Sequence, residues 1–145
     1  IDKGVLKISH SFDLAGNELT EQIAKSLSVD YTAAENLKRK YGLLPSSQNI
    51  KDVILPLTDS ILREIERISR NFFQSENKEV EKFIIAGGAA LIPGMREYFQ
   101  THLGKETEIA NPFLNIYCPP LLEKTLKEMG PSYAIAVGLA LRGLE

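Results

Sequence analysis

The stretch that most constrains this chain is Lys82-Phe83-Ile84-Ile85-Ala86, followed at once by Gly87-Gly88 and soon after by Pro93-Gly94. A short continuous apolar run bounded by glycine is the pattern of a buried strand. Pro93-Gly94 then opens a helix carrying Met95, Tyr98, Phe99 and Leu103, which Gly104 stops. Residues 106–109 read as a further strand, and strands alternating with helices place the chain in the α/β class. Adjacent glycines after a strand let the backbone turn sharply and come close to a ligand with no Cβ in the way. Open α/β sheets bind ligands at the carboxyl ends of their strands, where this pair sits. The same pair would equally serve a tight turn needed only for packing.

The rest of the chain divides by period and punctuation. Leu6, Ile8 and Phe12 follow a roughly alternating pattern, which predicts a strand over 5–14 with a bulge near Ser9-His10-Ser11. Leu19, Ile23 and Leu27 recur at helical spacing, predicting a helix over 17–27. Asp30 or Thr32 can cap the next helix, and Thr32-Ala33-Ala34-Glu35 has capping-box spacing; Tyr41-Gly42 ends it. After a loop at 43–49, one apolar stripe runs through Ile50, Val53, Leu57, Ile61, Ile65, Ile68 and Phe72. Pro56 lies inside that stripe and should kink the long helix or mark its real start. Residues 121–129 read as a helix, and 132–144, apolar nearly all round, as a last helix with a buried middle. The expected division is a sheet-bearing part, 1–27 with 77–145, and a helical part, 28–76.

Composition narrows the function classes. With 17 Lys and Arg against 19 Asp and Glu, the net charge of −2 excludes nucleic-acid binding through bulk positive charge. No apolar run reaches the ~20 residues that cross a bilayer as a helix. One cysteine cannot form an internal disulfide, which suits a reducing compartment. His10 and His102 lie far apart, Cys118 has no nearby base, and neither a phosphate-loop pattern nor zinc spacing occurs. Arg63, Glu64, Glu66, Arg67 and Arg70 read as a solvated helix face.

A second chemistry-bearing piece is Ala34-Glu35-Asn36-Leu37-Lys38-Arg39. Glu35 and Lys38, three apart on a helix, share a face. A carboxylate there can accept from sugar hydroxyls, while a lysine stem and an arginine plane can lie against a base. An exposed helix with ordinary local ion pairs would show the same residues.

Together, the Glu35-x-x-Lys38-Arg39 helix, the long helix after it and Ile84-Ile85-Ala86-Gly87-Gly88 resemble the adenosine half of the ATPase superfamily of actin, heat-shock chaperones and sugar kinases. Within it, Phe12 to Thr20, Ala34 to Lys38, Asn111-Pro112-Phe113 and the closing run from Gly130-Pro131-Ser132-Tyr133 to Gly143 are similar to the FtsA/PilM branch. The resemblance implies an RNase H-like, actin-like fold, with this chain as the second lobe (subdomains 2A and 2B). It implies ATP as ligand, with Mg²⁺ and the phosphates held mainly by a first lobe expected upstream of Ile1. Glu35 and Lys38 would bracket ribose and adenine, with Arg39 a stacking partner. Gly87 and Gly88 would admit the α-phosphate and ribose, and Ala89, Ala90 and Leu91 would border the base.

The function so implied is an ATP-binding scaffold of type IV pilus assembly, cytoplasmic and peripheral at the bacterial inner membrane through PilN-like partners. Direct membrane insertion is not expected. Weak or no ATPase is expected of the whole protein, and none of this chain alone. The alternatives are an FtsA-like cell-division protein and a small-molecule kinase of the same superfamily.

Overall fold

The computed structural model describes residues 1–11 and 16–144. Helix α1 spans Gly16–Leu27, α2 Tyr31–Tyr41 and α3 Gln48–Glu76. Strand β1 (Lys82–Ile85) leads through a 3-10 turn, Gly88–Leu91, into α4 (Met95–Leu103); β2 (Glu106–Ile109) and α5 (Pro120–Arg142) follow.

Local chemistry sets these boundaries. The Asp30 carboxylate accepts from the Ala33 N–H at 2.9 Å and caps α2, so Asp30 is the cap and Thr32 falls inside the first turn. Asp30→Ala is expected to cost about 1 kcal/mol and lower the melting temperature by about 3 °C, against no measurable change for Thr32→Ala. A thermal melt of the two variants checks this. In α3 the most buried line is Ile50, Ile54, Thr58 and Leu62, with Val53, Leu57, Ile61 and Ile65 flanking it. Thr58 is tolerated there because its hydroxyl donates to the Ile54 carbonyl at 3.0 Å. Pro56 lies eight residues inside α3 and does not start it.

The core gathers Leu19 and Ile23 of α1, Ala34 of α2, Ile50, Ile54 and Leu62 of α3, and Leu43, Ile92, Met95 and Phe99. Helix α1 thus packs on α2 and α3. Tyr98 of α4 donates its hydroxyl to the Asp59 carboxylate of α3. Burial and that carboxylate push the phenol up to about 12.

β1 and β2 pair in parallel, Lys82 opposite Glu106 through Ile85 opposite Ile109, with α4 as the crossover. Phe83, Ile85 and Thr107 face the packed side, while Ile84 on the other face is 65% exposed. The fully buried strand expected from the apolar run is therefore covered on one face only. Among the described residues, no element of this chain closes over the second face of the sheet.

Two further expectations are corrected. No strand forms over 6–11, and residues 12–14 of the expected strand, with Ala15, lie outside the described residues. A strand needs a neighbour to take its backbone hydrogen bonds. Here Asp2 and Val5 exchange both bonds across a tight Lys3-Gly4 turn, and side chains then tie the segment to α3. Lys7 pairs with Glu76 at 3.1 Å and His10 with Glu64 at 2.5 Å, so the solvated face of α3 partly carries the chain's start.

At the other end, the two helices expected over 121–129 and 132–144 form one, α5, which has Pro131 inside it and ends at Arg142. Only Gly130 and Pro131 are buried, and Ile135 is 80% exposed, so the expected buried middle is not found. Gly130 allows α5 to approach the loop closely: a Cβ there would stand 3.2 Å from Pro112 and 3.5 Å from Phe113. The Gly87 N–H donates to the Pro131 carbonyl at 2.7 Å, tying α5 to the turn after β1.

Candidate functional site

The face of α2 that carries Glu35, Lys38 and Arg39 looks across a cleft of about 880 Å³ at Gly88, Ala89 and Leu91 of the 3-10 turn. Helix α5 closes one side with Glu128, Met129, Ser132 and Tyr133, and Tyr31 stands at the start of α2. Six of the eight residues expected from the sequence line this one space. Ala90 does not, because it is buried in the turn, 4% exposed. Nor does Gly87. With φ at +84° it makes the backbone turn that only glycine adopts easily, and so delivers Gly88 to the cleft.

The three α2 side chains have distinct environments. Lys38 is buried, its side chain 8% exposed, while Arg39 is 77% exposed and reaches out over the cleft mouth. Lys38 Nζ donates to the Gly16 carbonyl at 2.9 Å, to Thr20 Oγ1 at 2.6 Å and to Glu35 Oε2 at 2.6 Å. Thr20, fully buried on α1, in turn donates to Glu35 Oε2 at 2.6 Å. Arg39 Nε donates to Glu35 Oε1 at 2.8 Å. Burial opposes ionisation of Glu35, but the bonds from Lys38, Thr20 and Arg39 outweigh it and hold the carboxyl at about 2. Glu35 is therefore a fixed carboxylate at any neutral pH.

The opposite wall is backbone and small side chains. A Cβ at Gly88 would point at Ser132 Oγ, 3.9 Å away, so the absence of a side chain keeps the space between the turn and α5 open. Ala89 and Leu91 add apolar surface. An anchored carboxylate, an exposed guanidinium, two tyrosines and an open glycine backbone can together hold a flat heterocycle carrying hydroxyls.

Sequence reasoning missed Tyr31 and the α5 residues. Tyr31 is four residues before Glu35, one helical turn away on the same face, and that spacing was a usable signal. Glu128, Met129, Ser132 and Tyr133 come to the site only through the docking of α5, for which no local pattern speaks. His10 and His102 stay apart from the cleft, as does half-buried Cys118. Among the described residues, no group of three or more His, Cys, Asp or Glu side chains converges as a metal site would require.

Comparison with known proteins agrees with this architecture. The profile of the type IV pilus assembly protein PilM family matches residues 8–144. A solved structure of a PilM–PilN type IV pilus biogenesis complex superposes with a TM-score of 0.78 at 34% identity, covering 91% of this chain and 38% of that one. The cell division protein FtsA from two strains of Staphylococcus epidermidis is 24% identical over 132 residues, covering 77% of this chain and 28% of the relative. The chain thus spans well under half the length of the proteins it matches.

Proposed function

Because the chain belongs to the PilM family of type IV pilus assembly proteins and has its actin-like fold, we propose that it supplies the adenosine side of an ATP cleft in a pilus assembly scaffold. The observation that carries this is the convergence of Glu35, Arg39, Gly88, Ala89 and Leu91, 49 to 56 residues apart in sequence, on one cleft. Their chemistry suits adenosine. The Glu35 carboxylate accepts from ribose hydroxyls, and the Arg39 plane covers a base. Ala89 and Leu91 give the base an apolar edge, and the bare backbone at Gly88 leaves room for the ribose and the first phosphate.

When bound, ATP supplies the anionic triphosphate that a second wall must hold together with Mg²⁺. This chain's residues fit the adenosine end. The phosphates and metal fall to the part of the longer relatives that lies outside it. On this reading the chain is one jaw of a hinge, and nucleotide acts by favouring one arrangement of the jaws over another.

The solved relative is a complex with PilN, which supports a PilN-like partner and a place at the cytoplasmic side of the inner membrane. No helix among the described residues is long and apolar enough to cross a membrane. The FtsA match keeps a cell-division role as the alternative, but the family match and the higher identity to the pilus protein favour pilus assembly.

The test is calorimetric titration of Mg-ATP into the complete protein and its Glu35→Gln variant. Replacing a charged acceptor by a neutral one should weaken binding by roughly 10-fold or more. Equal affinities would remove Glu35 from the nucleotide and the reading with it.

A further inference from the structure

Lys38 lines the cleft, but its side chain is only 8% exposed and its ammonium is already committed. An ammonium has three N–H groups, and all three are used: by the Gly16 carbonyl, by Thr20 Oγ1 and by Glu35 Oε2. The Thr20 hydroxyl accepts from Lys38 and passes its own proton toward the same Glu35 oxygen, closing a three-membered ring of side chains. Glu35 Oε2 is thereby taken by two donors, Lys38 and Thr20, while Oε1, among the described residues, takes only the exposed Arg39.

We propose that Lys38 is a positioning residue, which fixes the Glu35 carboxylate and the first turn of α1 from below and makes no contact with bound nucleotide. This rests on the nucleotide reading for its functional consequence but not for its geometry. It reverses the expectation that Glu35 and Lys38 bracket the ligand as equals. Glu35 and the exposed Arg39 work at the surface, and Lys38 with Thr20 works underneath. The ring also joins α1 to α2 at Gly16, so that any shift of the α1 start is felt at Glu35. The groups facing Glu35 are Lys38 and Arg39 from its own helix and Thr20 from α1, and these hold its carboxyl at about 2.

Two readouts on the complete protein separate this from direct contact. The first is Mg-ATP affinity for Lys38→Met, Thr20→Val, Glu35→Gln and the Lys38→Met/Glu35→Gln pair. Lys38→Met and Thr20→Val should each weaken binding by roughly 5- to 10-fold, and Lys38→Met should add less than about 2-fold once Glu35 is already Gln. If Lys38 touches nucleotide, its loss costs the full factor in the Glu35→Gln background and Thr20→Val has no effect. Either result overturns the proposal.

The second readout is the carbon NMR titration of the Glu35 carboxyl, which needs no nucleotide. It should move up from its depressed value toward the ordinary carboxylate range in Lys38→Met and, by less, in Thr20→Val. An unmoved titration overturns the proposal. If ATP affinity ignores every variant, Glu35→Gln included, the nucleotide reading fails while the titration still decides the role of Lys38. Should Lys38→Met not fold, Thr20→Val carries both readouts.

Discussion

Gly42→Ala is expected to destabilise this chain by roughly 3–5 kcal/mol, of which about 1–3 is backbone strain and a similar amount overpacking. Gly42 follows α2 with φ +51° and ψ −127°, a conformation that L side chains rarely adopt. A Cβ there would stand 2.4 Å from the Pro93 carbonyl oxygen and 2.8 Å from Ile92. The backbone cannot yield easily, because the Leu43 N–H donates to that same carbonyl at 2.8 Å. On the other side is Gly94, at φ +80°, where an added Cβ would stand only 3.2 Å from Leu43 Cβ.

The two turns, 41–43 and 92–94, therefore interlock. They join α2, which carries Glu35, to the segment after the Gly88–Leu91 turn, so the joint holds both walls of the cleft. The melting temperature should fall by about 10 °C for a chain of this size. Gly104→Ala is the control. Its φ is +61°, but nothing lies within 4 Å of the added atom, so about 1 kcal/mol is expected. Equal losses in the two variants would mean that the interlock is not tight.

Ile23→Ala carries the other large effect. Ile23 is fully buried on α1 within the core shared with α2 and α3. Truncating such a side chain removes its transfer free energy and leaves a cavity, about 2–5 kcal/mol in all. Ile135→Ala on α5, at a position 80% exposed, should stay within about 0.5 kcal/mol. Urea midpoints of the two variants of this chain make the comparison. A comparable loss at Ile135 would show that the middle of α5 is packed, as its composition alone suggested.

That contrast shows where sequence reasoning reached and where it stopped. Helix stops were legible at Gly42 and Gly104, which leave helices with positive φ, while the start of α2 was left between Asp30 and Thr32 until the Ala33 N–H chose Asp30. The strand–turn–helix–strand unit from Lys82 to Ile109 was legible because its period changes at glycines. Pairing and coverage were not. The alternation at 5–14 describes a segment willing to be a strand, but a ladder needs a neighbour, and side-chain ties to α3 took its place for the described residues. The apolar run at 132–144 marks a helix without saying what lies against it. What lies against its start is tertiary: Gly130 sits close to Pro112 and Phe113, and the Pro131 carbonyl accepts from the Gly87 N–H.

The site divides the same way. Glu35, Arg39 and Gly88 could be named because each belongs to a short motif with a chemical reason, whereas Ala89 and Leu91 came only from the family resemblance. The burial of Lys38 could not be read from its spacing, since its partners Gly16 and Thr20 belong to another helix. Tyr133 and Ser132 enter the cleft only when α5 docks beside the Gly87–Pro131 bond.

The central claim, that this cleft receives the adenosine end of ATP, is tested most directly by photolabelling the complete protein with an azidoadenine nucleotide and mapping the modified peptides. The account predicts label within residues 31–39, 88–92 or 128–133, abolished by excess ATP. ATP-protected label on other peptides only, or none in this chain, would contradict it.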